Sequence, residues 1–403
     1  MSFPESADFE MTLLYRMLLV LPFLPIPASA DEIKVDSDFP SGSGEVERID
    51  SGKKLIVLNP SDYPDRGWRC WWYVKIDGIP DQEPWTLDVG EAPWATPDRA
   101  TFSSDGGHSW QHTEPGTREG KRIRYTIVGN EKDLLVAWGP PYTPTDAADL
   151  VNRLATDCEQ ASAFSLCTTR EGRDTPALRV RTGEGKPLIW IQARQHAWES
   201  GASWVGKGFA EWLISDAPAA AEFRDSAEIV FVPVMDIDNV FRGAGGKSQK
   251  PQDHNRDWTD EPHWNAVAAA QRGIMAAVEK GRLAAFFDLH NPGAASRFPY
   301  FYVPPKDVLT PKAYSNQLRF LKLVKEEMRE PLRFTGRASE SGSKYDPKAW
   351  KAISKNWVAS LGTDALSVTL ETAWNTPAST TEGYEAVGRQ LGMALARFQN
   401  ETK

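Results

Sequence analysis

The chain has 403 residues, 41% hydrophobic and 25% charged, which excludes disordered, collagen-like and multi-spanning membrane proteins and leaves ample apolar material for a core. Lys and Arg number 46 against 55 Asp and Glu, a formal charge of −9, so there is no electrostatic case for nucleic acid as a partner. Three cysteines are too few for a disulfide-framed scaffold or a four-thiolate metal site.

Residues 17–24 form the one membrane-like run. It is interrupted by Pro22, followed by Pro25 and Pro27, and too short to span a bilayer. With Ala28-Ser29-Ala30 behind it, it reads as a secretory signal occupying residues 1–30 and cleaved after Ala30. Translation from Met11 would leave Arg16 as its basic flank. Processing makes the protein secreted or periplasmic, with a charge of −7 and no membrane span; an unprocessed N-terminus leaves it cytoplasmic. From 31 to 138 the pattern has period two. Residues 54–58, 68–76, 122–128 and 134–138 are β-branched and aromatic, separated by turn clusters such as Asp77-Gly78 and Asp105-Gly106-Gly107. This predicts an antiparallel β-sandwich with the tryptophans of 68–110 in its core. After Gly139-Pro140-Pro141 helices are predicted at 145–154, 204–214, 262–280 and 381–398, alternating with strands at 187–193, 228–234, 284–289 and 366–370. Near-continuously apolar strands between helices predict an α/β domain over 142–403, a mixed sheet covered by helices.

Sites in open α/β sheets gather at the carboxyl ends of strands. Three predicted ends carry acidic or metal-capable residues: His196-Ala197-Trp198-Glu199, Asp288-Leu289-His290, and Glu371. Two imidazoles and a carboxylate, His196, Glu199 and His290, are the ligand set of one catalytic zinc with a position left open for water. Such a centre stays net positive and acidifies its water. Glu371 emerges from an apolar strand and is the candidate general base, its pKa raised by desolvation. Each has a plainer reading as well: His290 as a core histidine, Glu371 as half of a structural ion pair. His108 and His112 have the i,i+4 spacing of a helical metal pair, but strand-like surroundings argue against it. His254 and His263 read as supporting or surface residues. Cys158 and Cys167 are near enough to close a small loop, and equally readable as thiols.

The order His196-x-x-Glu199, Asp253-His254-Asn255-Arg256-Asp257-Trp258, Asp288-Leu289-His290, Thr369-Leu370-Glu371 resembles the zinc metallocarboxypeptidases. The preceding sandwich and Arg170-Glu171-Gly172-Arg173-Asp174 make it most similar to the cytosolic-carboxypeptidase-like branch. The resemblance implies a carboxypeptidase-like fold and hydrolysis of the C-terminal amide of a peptide bearing a free carboxylate. It implies that Asn255 and Arg256 grip that carboxylate, as a planar guanidinium fork suits, and that Arg173 lies on the substrate side. An oxyanion-stabilising cation is implied in the loop 242–251, with Lys247 and Arg242 as rivals, and Tyr345 is the counterpart offered for the family's mobile tyrosine. Asp236-Ile237-Asp238-Asn239 departs from the family's usual Asn-Pro-Asp-Gly. Lys355 or Asn356 falls near the position that meets the substrate's last side chain. A lysine there favours a C-terminal glutamate, as in deglutamylating relatives, while its plainer reading is a solvated surface lysine. Alternatives on the same centre are a zinc amidase acting on N-acyl amino acids or muropeptides, and a binding protein with a vestigial metal site.

Overall fold

The computed structural model describes residues 32–92, 96–130, 133–341 and 346–401; the signal sequence read at 1–30 and Tyr345 lie outside them. Two five-stranded sheets come first. One runs in the order Lys34–Asp36, Tyr73–Asp77, Leu134–Ala137, Thr101–Ser103, Gln111–His112. The other runs Glu45–Asp50, Leu55–Asn59, Pro84–Val89, Arg122–Val128, Thr117–Glu119. Alternation decides which side faces inward: Arg122–Val128 buries Ile123, Tyr125 and Ile127 against Val74, Ile76 and Val136 of the opposite sheet. One pairing, Leu55–Asn59 with Pro84–Val89, is parallel, because the intervening chain crosses to the other sheet for Tyr73–Asp77 and returns in the same direction. Trp71, Trp72, Trp85 and Trp110 are core residues as expected. The expected strand at 68–76 begins only at Tyr73. The Trp68 amide bonds to the Lys247 carbonyl at 2.9 Å instead of to a sandwich strand.

Helix Pro144–Asp157 opens the second part, capped by Thr143 in a capping box with Asp146. The eight-stranded sheet behind it has the order Ala161–Thr168, Asp174–Val180, Glu228–Val232, Leu188–Ala193, Leu283–His290, Leu366–Glu371, Tyr300–Val303, Ala338–Glu340. Its four central strands are parallel and are buried on both faces. Ile189, Ile191, Phe287 and Leu289 pack with helices Ser200–Ile214, Pro311–Glu327 and Thr381–Asn400 on one side. Trp190, Val230, Val232 and Phe286 pack with helix Asn265–Val278 on the other. Trp198 and Trp374 of this part join the sandwich core, with ring centroids 5.2 and 4.2 Å from Trp138, and Ile33–Lys403 form one compact unit. Cys70, Cys158 and Cys167 are free thiols. Among the described residues no helix is long and apolar enough to cross a membrane.

Candidate metal centre and active site

Strand Leu188–Ala193 runs out at Arg194, whose φ of +66° turns the chain away from the sheet. Arg194 is buried and donates from Nε to the Ala197 carbonyl at 2.7 Å and from Nη1 to the Tyr142 carbonyl at 3.0 Å. It therefore pins the turn that presents His196 and Glu199. Glu199 directly precedes helix Ser200–Ile214, where free backbone N–H groups and the helix dipole favour a carboxylate. His290 ends strand Leu283–His290, the parallel neighbour of Leu188–Ala193. His196 Nδ1 lies 2.7 Å from Glu199 Oε1 and His290 Nδ1 lies 2.6 Å from Oε2. One donor atom from each of the three falls within 4.8 Å of the others.

The far nitrogens of both rings face carboxylates. His290 Nε2 is 2.9 Å from Asp288 Oδ2 and His196 Nε2 is 3.5 Å from Asp253 Oδ1. Asp288 also accepts hydrogen bonds from Gln195 Nε2 and, at 2.6 Å, from Ser354 Oγ. A carboxylate behind an imidazole fixes the proton on that nitrogen and leaves the other lone pair for a metal. Burial alone would raise the Glu199 carboxyl, yet the His196 and His290 rings hold it well below the usual carboxylate range. Burial alone would lower His290, yet Asp288 and Glu199 lift it well above an ordinary imidazole. The site thus calls for positive charge at its centre, and two imidazole nitrogens with one carboxylate fit zinc.

Glu371 ends strand Leu366–Glu371 in parallel register with His290, and Tyr300 stands opposite it on the antiparallel neighbour. Burial, aided by the Glu199 charge and opposed by His290, pushes its carboxyl up to about 7. Its Oε2 is buried without a hydrogen-bond partner among the described residues, so the ion-pair reading finds no arginine there.

These residues border a cavity of about 460 Å³ that Lys247, Asn255, Arg256 and Lys355 also line. Lys247 Nζ is 3.2 Å from His196 Nε2. Asn255 Nδ2 is 3.2 Å from His290 Nε2, its Oδ1 accepts from the Ser354 amide at 3.0 Å, and Arg256 Nη1 donates to its carbonyl at 2.8 Å. Lys355 is buried, not a solvated surface lysine; Nζ donates to Ser341 Oγ and Asn356 Oδ1, and burial pulls it down to about 7. Arg173 and Arg242 are not brought to this cavity. Both pair with Glu171, at 2.7 and 2.8 Å, and Arg173 also pairs with Asp238 at 2.8 Å and stacks 4.0 Å over the Phe241 ring. Asp236, where the motif departs from the family's, caps helix Ile237–Arg242 by accepting from the Asn239 amide. His254 stacks on Trp264 and bonds Gln249, while His112 lies on a sandwich strand, not a helix. Among the lining residues that escaped the sequence reading are Trp68, Tyr300 and Tyr302. The roles of Asp253 and Asp288 were also unassigned, although the i,i+2 spacing of Asp288 and His290 puts both on one face of a strand.

Residues 148–379, more than half of the chain, match the zinc carboxypeptidases (peptidase M14). The chain belongs to the zinc carboxypeptidase family. The family's metal is zinc, and His196, Glu199 and His290 are the group that can hold it. Human cytosolic carboxypeptidase 1 is 25% identical over 303 residues, covering 63% of this chain and 25% of that protein. Mouse cytosolic carboxypeptidase 4 is 38% identical over 167 residues, covering 37% and 15%. This zinc carboxypeptidase chain therefore spans a quarter or less of the length of these animal relatives. A metallo-carboxypeptidase from Burkholderia cenocepacia has the same fold, with a TM-score of 0.79 at 22% identity over 92% of this chain and 100% of its own. Another, from Pseudomonas aeruginosa in complex with (2-guanidinoethylmercapto)succinic acid, has a TM-score of 0.76 at 21% identity, with the same coverage. Coverage of 92% carries the likeness into the N-terminal sheets.

Proposed function

We propose that this chain is a carboxypeptidase that removes the last residue of a peptide, with His196, Glu199 and His290 holding one zinc ion and Glu371 acting as general base. The observation that carries the proposal is a carboxyl lifted to about 7, its Oε2 buried without a partner among the described residues, standing in sheet register with the candidate ligand His290. Zinc held there supplies Lewis acidity toward a carbonyl oxygen and lowers the pKa of water. Glu371 takes the proton of the attacking water and returns it to the departing amine. Lys247, 3.2 Å from His196 Nε2, stabilises the developing oxyanion as a point charge, a role for which Arg242 is held too firmly by Glu171. Asn255 and Arg256 grip the terminal carboxylate on the His290 side of the cavity.

The buried Lys355 supports a finer reading. A buried ammonium bonded, among the described residues, to the neutral Ser341 and Asn356 gains most from an anionic partner, so the residue released is acidic. Peptides ending in Glu are expected to be cleaved at least about tenfold better than those ending in Leu or Lys, and Lys355→Met is expected to erase that preference. A preference that survives Lys355→Met contradicts the assignment.

Residues 17–24 and 28–30 support export with cleavage after Ala30, giving a mature N-terminus at Asp31. Retention of Met1 or Met11 on the cell-associated protein is the opposite result, and agrees with the cytosolic relatives. The function itself is tested with matched peptides bearing free and amidated C-termini. Loss of single residues from the free form alone supports the proposal; equal cleavage of both favours the amidase, and binding without turnover favours a vestigial site.

A further inference from the structure

The cavity has one wall that the catalytic sheet does not supply. Trp68, on the loop between two sandwich strands, lines it beside His196, Trp198 and Lys247. Its half-exposed indole lies 6.4 Å from Trp198, and Lys247 Nζ is 5.7 Å from its ring centroid. The loop is fastened backbone to backbone: the Trp68 amide bonds the Lys247 carbonyl at 2.9 Å, the Gly246 amide bonds the Arg66 carbonyl at 2.8 Å, and the Lys250 amide bonds the Asp65 carbonyl at 2.9 Å. Approach is so close that a Cβ on Gly245 would sit 2.1 Å from the Trp68 carbonyl oxygen. Arg66 adds a 2.6 Å ion pair to Glu171. The backbone that carries the indole is thus tied to the loop 246–250 and, through Arg66, to Glu171.

Its position fixes which part of a substrate it meets. Asn255, whose carbonyl Arg256 bonds, lies beside His290, whereas Lys247 lies beside His196 and reaches the Trp68 ring. On the carboxypeptidase reading proposed above, on which this inference rests, the terminal residue occupies the His290 side and the preceding residue passes over His196. We propose that Trp68 is a specificity-determining residue that packs against the side chain preceding the scissile bond and selects peptides with a large apolar or aromatic residue there. An indole face removes apolar surface from water with little loss of rotamer freedom, and one side chain in such a pocket discriminates by about ten- to two-hundredfold.

The experiment measures kcat/KM on acylated dipeptides with a fixed C-terminal residue and Gly, Ala, Leu or Phe before it, for the wild type and for Trp68→Phe, Trp68→Leu and Trp68→Ala. The wild type is expected to favour Phe over Gly about tenfold or more, and the ratio to shrink in the order Phe, Leu, Ala at position 68, falling below about threefold in the last. Should the Ala variant fail to fold, the Phe and Leu variants still give the trend. A ratio unchanged across the active variants overturns the inference while leaving the carboxypeptidase reading intact. A wild type that cleaves none of the peptides, nor any free-ended peptide, overturns that reading and this inference with it.

Discussion

Glu371 illustrates how one side chain sets activity against stability. Its carboxyl has an ordinary value of 4.5 and a folded value of about 7 because burial disfavours the charge. A raised carboxyl favours the folded state only when protonated, so above pH 7 its charge subtracts from stability, by at most about 3 kcal/mol. Glu371→Gln is therefore predicted to raise the unfolding free energy of metal-stripped protein by about 1–3 kcal/mol at pH 8 and to change little at pH 4; denaturant titrations at the two pH values check this. On the proposed mechanism catalysis needs the carboxylate, so kcat/KM should rise with pH through this group. Zinc's charge draws the pKa downward, which puts the acid limb in the window below about 7. A flat pH–rate profile across that window contradicts the assignment. The candidate ligands His196, Glu199 and His290, and Glu371, were legible because strand ends in an α/β sheet are where polar residues after apolar runs acquire a use. The burial of Lys355 was not, although the resemblance placed it near the substrate's last side chain, since that burial is set by Ser341 and the helix Ser354–Ala359, and sequence carries no sign of which lysines the fold encloses.

At the level of elements, loops do the positioning and sequence says least about them. Arg173, expected near the substrate, instead belongs with Arg66 and Arg242 around Glu171. Burial would raise that carboxyl, but the three guanidiniums hold it at about 2. A depressed carboxyl stabilises the fold above its ordinary 4.5, and the effect is lost as pH falls toward 2. Glu171→Gln is predicted to destabilise by about 1–2 kcal/mol at pH 7, a figure discounted for the partly exposed guanidiniums, with the difference gone near pH 2. Gly67 has φ of +91°, and a Cβ there would meet the Lys247 carbonyl oxygen at 2.5 Å. Gly67→Ala should displace the Lys247 loop and lower kcat more than it raises KM, which steady-state kinetics will show. The central strands and the helices Pro144–Asp157, Ser200–Ile214, Asn265–Val278 and Thr381–Asn400 were readable from apolar runs and helical spacing, whereas the covering helix Pro311–Glu327 was not predicted. Strand Ala161–Thr168 was not: it lies at the sheet edge with no residue fully buried, and its short apolar alternation, Phe164 and Leu166 between small polar residues, is only partly covered by the core.

Across the whole molecule, the sandwich is not an independent attachment. Trp138, Trp198 and Trp374 continue its core into the turn that presents His196 and Glu199. A chain reduced to residues 142–403 would expose Trp198 and Trp374 together, a patch that promotes association. Such a truncation is predicted to aggregate or to unfold without a cooperative transition, and a monodisperse, cooperatively unfolding fragment would contradict the shared core. The period-two pattern made the sandwich legible, but not that one of its loops lines the active site, because that depends on contacts between segments nearly 180 residues apart. The central claim, that His196, Glu199 and His290 hold zinc for a reaction in which Glu371 moves the proton, is tested most directly by measuring zinc content and peptide turnover on the same preparation of Glu371→Gln. The account predicts about one zinc per chain with turnover reduced about a hundredfold or more. Wild-type turnover in that variant, or wild-type protein that binds no zinc, would contradict it.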